Sequence, residues 1–352
     1  MAAAAHRVLE SHDLVSNVLG FLAPHECYQA AAVAKPWARA FQTRMSGLFR
    51  VARKDVGDFG YTRRATAMPG GGVMIADYRG DSLQVFSPNG EKVEGLCENP
   101  GDWEERVLFT PSAVAFTGDD DTAWVLESDS NQLALMRLHE SERLSTIVPT
   151  EFMMTDLAVA DDALLVLCIQ YAGEEPEAGE EPEAEGKILV LNKASGAIQR
   201  EFATPDHSES ELRGAECMAV LGPRVYVADT YNHAVKIFTH ADGVLRDIFG
   251  GQRSARLGEF NEPYGIAVGD GQMIISEGAG RRIQVLSLEG EPLQMIRFSI
   301  ERWRTWSNPD VHDEYDRVED YQLGLGLCLD ESRLWCVGPN TSLNHADIFV
   351  RI

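Results

Sequence analysis

Short apolar runs recur from about residue 65 to residue 350, most of them alternating with polar residues. The clearest stretch is Arg224-Val-Tyr-Val-Ala-Asp-Thr-Tyr-Asn-His-Ala-Val-Lys-Ile-Phe238. An apolar strand ends in an acid, a polar turn follows, and a second strand alternates inside and outside positions. The same layout occurs at Val73–Asp77 with Leu83–Phe86, and at Ala123–Glu127 with Leu133–Met136. It returns at Leu164–Cys168 with Ile188–Leu191, at Met273–Glu277 with Ile283–Leu286, and at Leu334–Gly338 with Ile348–Val350. Each copy is preceded by a further apolar run, such as Ala113–Phe116 or Gly265–Val268, and most are followed by a turn and one more strand. Asp242-Gly243, Glu289-Gly290 and Asn89-Gly90 supply the positive φ that tight hairpins need. The pattern therefore predicts six units of four short antiparallel strands. A four-stranded unit cannot bury both faces alone, so radial stacking is expected: an all-β, six-bladed β-propeller.

The centres of the second strands, Ile75, Val125, Val166, Val227, Ile275 and Cys336, are separated by 50, 41, 61, 48 and 61 residues. A unit of this type needs about 40–45. The surplus falls in Cys97–Thr110, Tyr171–Lys187, Thr204–Gly214 and Ser299–Gln322. All four insertions map to one end of the propeller, since a turn between strands two and three opens on the same face as the link to the next unit. Long loops in compact domains are usually functional or disordered. Residues 171–187 repeat Gly-Glu-Glu-Pro-Glu-Ala and hold seven glutamates, which predicts a disordered acidic insertion.

Residues 8–46 break the pattern. Leu14, Val15, Val18, Leu19 and Leu22 recur at helical spacing, and Pro24 opens a second helical stretch that leads to Trp37 and Phe41. A small α-helical segment before the propeller is expected. Pro36, directly before Trp37, would end or kink its last helix.

Charge narrows the partners. Lys and Arg total 31 against 55 Asp and Glu, a net charge of −24. That disfavours RNA or DNA, which bind through Lys/Arg neutralisation of phosphates, and disfavours an anionic membrane surface. The six cysteines have neither CxxC nor zinc-finger spacing, so free thiols in a reducing compartment are expected. No apolar run approaches the roughly 20 residues of a membrane span, and the first residues lack signal-peptide order. The expectation is an intracellular protein, cytoplasmic, nuclear or both.

Two stretches carry a resemblance. Gly258-Glu-Phe-Asn-Glu-Pro-Tyr-Gly-Ile-Ala-Val268 and Val225-Tyr-Val-Ala-Asp-Thr-Tyr-Asn-His233 resemble the NHL repeat, and Asn344-His345 repeats its Asn-His pair. The resemblance covers about residues 50–352, most closely in the fourth and fifth units, and the propeller is assigned to residues 48–352. The last copy lacks an outer strand of its own, and Leu48–Arg53 precedes Gly57-Asp-Phe59 as Leu245–Gly250 precedes Gly258-Glu-Phe260. Residues 48–54 are therefore expected to supply that strand. Asp13-Leu-Val, Val18-Leu-Gly-Phe-Leu22, Pro24, Glu26-Cys27 and Trp37 resemble an F-box, although the usual Leu-Pro start is replaced by Ser11-His12. The F-box resemblance implies a Skp-type adaptor and a cullin ubiquitin ligase, with Leu14, Val15, Val18, Leu19, Leu22 and Pro24 facing the adaptor. The chain would then be a non-catalytic substrate-recognition subunit in ubiquitin-dependent degradation. The alternative is an NHL propeller scaffold for protein or RNA without ubiquitin function.

Candidate chemistry is sparse. Asp77, Glu127, Asp229 and Glu277 end second strands, and a ring of them could hold calcium, as in some six-bladed propellers. Cys168 and Gly338 interrupt that ring, and such carboxylates commonly cap their own turns. His233 and His345 stand at the same turn position of different units, too far apart for a joint zinc site, although one NHL-like class of lyases uses such histidines. No GxSxG, HExxH or P-loop sequence occurs. No cofactor, metal or catalytic set is expected. Partner binding is assigned to the loop-rich face, at Tyr78, Arg79, Tyr231, Tyr264, Arg281, Arg282, Trp303 and Trp306, because Trp, Tyr and Arg dominate interface hot spots.

Overall fold

A computed structural model describes residues 49–56, 64–69, 71–93, 106–118, 121–171, 184–203, 208–280, 282–297, 326–330, 333–337 and 346–351. Leu14, Val15, Val18, Leu19, Leu22, Pro24, Arg281, Trp303 and Trp306, and the helices predicted over 8–46, lie outside the described residues. Residues 53–348 form one compact unit. Residues 1–52 with 349–352 form the other, and its described part is entirely strand.

The first strand is β1 (Phe49–Val56). Blade 1 follows as β2 (Ala65–Ala67), β3 (Val73–Asp77), β4 (Ser82–Phe86) and β5 (Lys92–Val93). Blade 2 is β6 (Pro111–Phe116), β7 (Thr122–Glu127), β8 (Gln132–Arg137) and β9 (Glu142–Ile147). Blade 3 is β10 (Met153–Ala160), β11 (Ala163–Tyr171), β12 (Ala184–Asn192) and β13 (Ile198–Phe202). Blade 4 is β14 (Ala215–Leu221), β15 (Arg224–Asp229), β16 (Ala234–Thr239) and β17 (Leu245–Gly250). Blade 5 is β18 (Pro263–Gly269), β19 (Gln272–Glu277), β20 (Arg282–Ser287) and β21 (Pro292–Arg297). The chain ends in β22 (Gly326–Asp330), β23 (Arg333–Val337) and β24 (Ala346–Arg351).

Each blade is an antiparallel sheet of consecutive strands, and a further sheet has the order β1-β24-β23-β22. Among the described residues, self-contained blades therefore number five, not the six that the repeat count predicts. The last three strands lie in a sheet whose outer member comes from the other end of the chain. The inner strands β2, β6, β10, β14, β18 and β22 neighbour one another in that cyclic order, and β22 returns to β2. This is an all-β propeller.

The core lies between blades. Leu165 and Leu167 of β11 pack with Met218, Val225 and Val227 of blade 4, whereas Leu164, Val166 and Cys168 pack with Ala113, Trp124 and Leu126 of blade 2. Successive side chains of a strand point to opposite faces, so a strand covered on both sides becomes a continuous apolar run. That is why Leu164–Ile169 carries no polar residue. Blades also lock through hydrogen bonds: Trp124 Nε1 donates to the Lys193 carbonyl at 2.7 Å, and Thr66 Oγ1 to that of Val114 at 2.8 Å.

The predicted insertion 171–187 is shorter in fact. Ala184–Lys187 belong to β12 and pair with Tyr171–Cys168. Gly186 also bridges to Leu212, where a Cβ on Gly186 would stand 2.8 Å from the Leu212 Cβ. Residues 172–183 lie outside the described residues.

Candidate functional site: the loop-bearing end of the propeller

Inner strands start, and second strands end, at the same end of the propeller. Every blade-to-blade link and every turn between second and third strands therefore opens there. Among the described residues, the exposed large apolar side chains at this end are Phe109, Val148, Met153, Tyr171, Ile248 and Leu257. The opposite end shows Val93, Ile198 and Val244.

Two repeated devices hold this end together. The first is the acid that closes the second strand. Glu127 accepts from the Phe109 N–H (2.7 Å) and Gln132 (2.7 Å), and pairs with Arg143 at 2.6 Å. Asp229 accepts from the Arg213 N–H (2.7 Å) and Asn232 (2.8 Å), and pairs with Lys236 at 2.9 Å. Glu277 accepts from the Asn261 N–H (3.0 Å) and Gln284 (2.6 Å), and pairs with Arg282 at 2.7 Å. In blade 1, Asp77 caps its own turn at Gly80 (3.0 Å) and accepts from Gln84 (2.8 Å). Each carboxylate is thus engaged within its own blade, and Glu127, Asp229 and Glu277 also hold the incoming link. The oxygens of all four are committed to these donors. Among the described residues no three His, Cys, Asp or Glu side chains gather as metal ligands.

The second device is the residue just before the third strand, held at positive φ. Asp81 (φ 46°), Asn131 (φ 48°) and His233 (φ 50°) occupy this place. Their side chains accept the N–H of Thr110 (2.7 Å), Met154 (2.9 Å) and Glu262 (3.1 Å), each at or near the start of the next blade's inner strand. His233 is therefore a clasp between blades.

Among the described residues, the Arg64 side chain joins several blades. β-Bulges interrupt four inner strands near their first residues, at 111/113, 154/156, 215/217 and 263/265. Bulges re-aim side chains and concentrate near functional sites. Into this level reaches Arg64, immediately before β2. It donates to the Glu216 carbonyl of blade 4, pairs with Asp156 of blade 3 at 3.5 Å, and lies 5.3 Å from the Tyr264 ring centroid of blade 5. Asp156 also accepts from the Leu157 and Met218 N–H groups at 2.9 and 2.8 Å.

These placements correct two predicted face residues. Tyr264 is 6% exposed, since the bulge turns its ring to Arg64, and Arg282 is 2% exposed. The Arg282 guanidinium binds Glu277 and the carbonyls of Ala255, Arg256 and Glu259 in the link beneath it. It is not available to an external RNA. The other described members stay at the surface. Arg79 is exposed, half-buried Tyr78 donates to Asp129 of the next blade, and Tyr231 is half-buried over Gly214. A Cβ on Gly214, which sits at φ +60°, would stand 2.2 Å from the Tyr231 ring. Tyr171, at the end of β11, gives no signal in the sequence that marks it as a surface residue. Its side chain is 44% exposed overall, while desolvation at the hydroxyl, with Glu216, Tyr231 and Tyr264 as neighbours, pushes the phenol above its usual range.

Burial raises Asp156, Asp229 and Glu277 above their ordinary range, against the pull of Arg64, Lys236 and Arg282. A carboxyl raised on folding contributes stability that is full below its unfolded value, about 4, and is lost as pH rises through the folded value. Compared with Asp229→Asn, the unaltered chain is therefore expected to lose melting temperature from pH 4 to pH 7. Paired thermal scans check this, and a difference that grows in its favour over that range would contradict it. Burial also pushes the thiols of Cys168 and Cys217 up to about 12, which makes them poor nucleophiles.

One open cavity of about 510 Å³ lies at this end, on blade 4, between the incoming link and strands β16 and β17. Ser208, Glu209, Arg213, Ala234, Lys236 and Ile248 line it.

No family model and no curated protein matches the sequence. Solved structures match its fold. A gluconolactonase from Xanthomonas campestris superposes with a TM-score of 0.56 at 15% identity, over 88% of this chain and 91% of that one. The WD40 β-propeller domain of Doa1 gives 0.52 at 11% identity, over 86% and 97%. The chain has a β-propeller fold. At such identities the likeness carries the fold alone. The expectation of a non-catalytic chain is corrected to this extent: one protein with this fold is a gluconolactonase, so a propeller of this kind does not by itself argue against catalysis. Neither neighbour supports an NHL or F-box assignment in particular.

Proposed function

We propose that this chain is a protein-binding propeller that holds its partner on the loop-bearing end. The observation that carries the reading is the placement of Phe109, Val148, Met153, Tyr171, Ile248 and Leu257 at that end. They stand beside the surface tyrosines and the links that change length between blades. Exposed apolar groups rimmed by polar ones mark interaction sites. Charge substitutions there, Val148→Asp with Leu257→Asp, are the direct test, with Ile198→Asp and Val244→Asp at the opposite end as controls.

The finer reading is a substrate receptor of a cullin-type ubiquitin ligase, with an NHL-type ring closed through residues 48–54. Support for the adaptor half comes from the sequence of residues 13–37 alone, and an intracellular location goes with it. A Skp-type adaptor is expected to capture the full chain and to lose it when Leu19→Asp and Leu22→Asp are combined. No capture of the unaltered chain would remove the ligase reading and leave the binding propeller. RNA as the partner is weakened by the burial of Arg282 and by the net charge of −24.

A further inference from the structure

The link from blade 2 to blade 3 is short. It takes residues 148–152, whereas the links before and after it run over 94–110 and 203–214. Asn131 draws it against the turn of blade 2, donating to the Phe152 carbonyl at 2.9 Å and accepting from the Met154 N–H at 2.9 Å. Little chain is left to cover this junction. Val148 starts the link and is 63% exposed, and Met153 follows it and is 41% exposed. Carboxylates flank the two. Exposed Glu151 lies in the link, and exposed Asp129 lies in the turn that Asn131 closes. Exposed Glu185 pairs with Gln170, next to the Ile169 that pairs with Met153. Among the described residues none of these three acids is in an ion pair. Lys187 stands beside them, but it pairs with Glu201 at 3.0 Å and lies over the Phe152 ring. Even with exposed Arg79, next to Tyr78, set against Asp129, the junction keeps an excess of negative charge.

We propose that the junction of blades 2 and 3 docks a basic amphipathic segment of a partner protein. Its apolar side chains would cover Val148 and Met153, and its lysines or arginines would meet Asp129, Glu151 and Glu185. The inference rests on the binding-propeller reading and adds the chemistry of the partner. Exposed apolar groups with a polar rim mark interaction sites, and complementary charge selects among partners. An acidic segment, a nucleic acid or an anionic membrane would bring like charge to these carboxylates. The net charge of −24 draws a basic segment toward the chain from a distance.

The test uses the full chain and fluorescence anisotropy with three labelled peptides of equal length. One combines leucine with lysine and one leucine with glutamate, both amphipathic as helices. The third combines serine with lysine and carries charge alone. The leucine–lysine peptide is expected to bind saturably, about tenfold or more tighter than either other peptide. Val148→Ser with Met153→Ser should weaken it about tenfold, and so should Glu151→Gln with Glu185→Gln. Ile198→Ser with Val244→Ser, and Glu289→Gln with Glu291→Gln, remove two apolar groups and two charges at the opposite end and should leave binding unchanged. Equal melting temperatures establish that every variant is folded. Equal weakening by the opposite-end pairs would mean general attraction to an acidic chain and would overturn the proposal. Tighter binding of the leucine–glutamate or serine–lysine peptide, or no saturable binding of the leucine–lysine peptide, would overturn it too. Partner capture that still responds to Val148→Asp with Leu257→Asp in any of these cases would remove this inference and leave the binding-propeller reading standing.

Discussion

Arg64→Met is expected to destabilise the propeller by about 3–5 kcal/mol, the cost of leaving one partner of a buried ion pair behind. Arg64 and Asp156 both have side chains 6% exposed, and the guanidinium reaches blades 3, 4 and 5 from its position before β2. Methionine keeps much of the apolar stem, so the loss isolates the charge. Asp156 would retain two backbone N–H donors in a site closed to water. Combining Arg64→Met with Asp156→Asn removes both charges, and replacing a whole buried pair is often near neutral. The double variant should therefore recover more than half of the loss. Urea unfolding midpoints measure both. A single variant within about 0.5 kcal/mol of the unaltered chain, as for a surface change, would show that Arg64 does not pin the axis.

Arg282→Met is expected to cost a similar amount, about 3–5 kcal/mol, by a partly different route. Glu277 is fully buried and would keep only Gln284 and the Asn261 N–H as partners. The link carbonyls of Ala255, Arg256 and Glu259 would also lose their donor. Because those carbonyls anchor the link, limited trypsin digestion should cut at Arg253 or Arg256 well before the rest of the propeller opens. An unchanged unfolding midpoint together with an unchanged cleavage pattern would refute this role.

These two arginines show where the sequence is legible and where it is not. The strands and turns of blades 4 and 5 follow from alternation and from Gly, Asn and Asp at the corners, because one face of each strand must meet a neighbouring blade. A cation at the start of a strand is a different matter. Arg282 follows Arg281 and looks like half of a basic surface pair. Its burial depends on Glu277, five residues earlier, and on the backbone of a link about 25 residues earlier. Tyr264 misleads for a local reason, since a single-residue bulge redirects its ring to the axis, and alternation does not register bulges. Asp81, Asn131 and His233 share one position and one task despite three different side chains, so the Asn-His motif describes only one version of that clasp. Ala184-Glu-Gly-Lys187 lacks the apolar alternation of a strand and reads as part of the acidic insertion. Pairing with β11 makes it strand.

The central claim is that the loop-bearing end is the recognition surface. It is tested most directly by quantitative cross-linking capture from cell extract with three forms of the full chain. These are the unaltered protein, Val148→Asp with Leu257→Asp, and Ile198→Asp with Val244→Asp, each first shown to unfold at the same temperature. The account predicts a defined set of proteins cross-linked to the unaltered form, lost at least tenfold with the first pair and kept with the second. Loss with the second pair and retention with the first would contradict it.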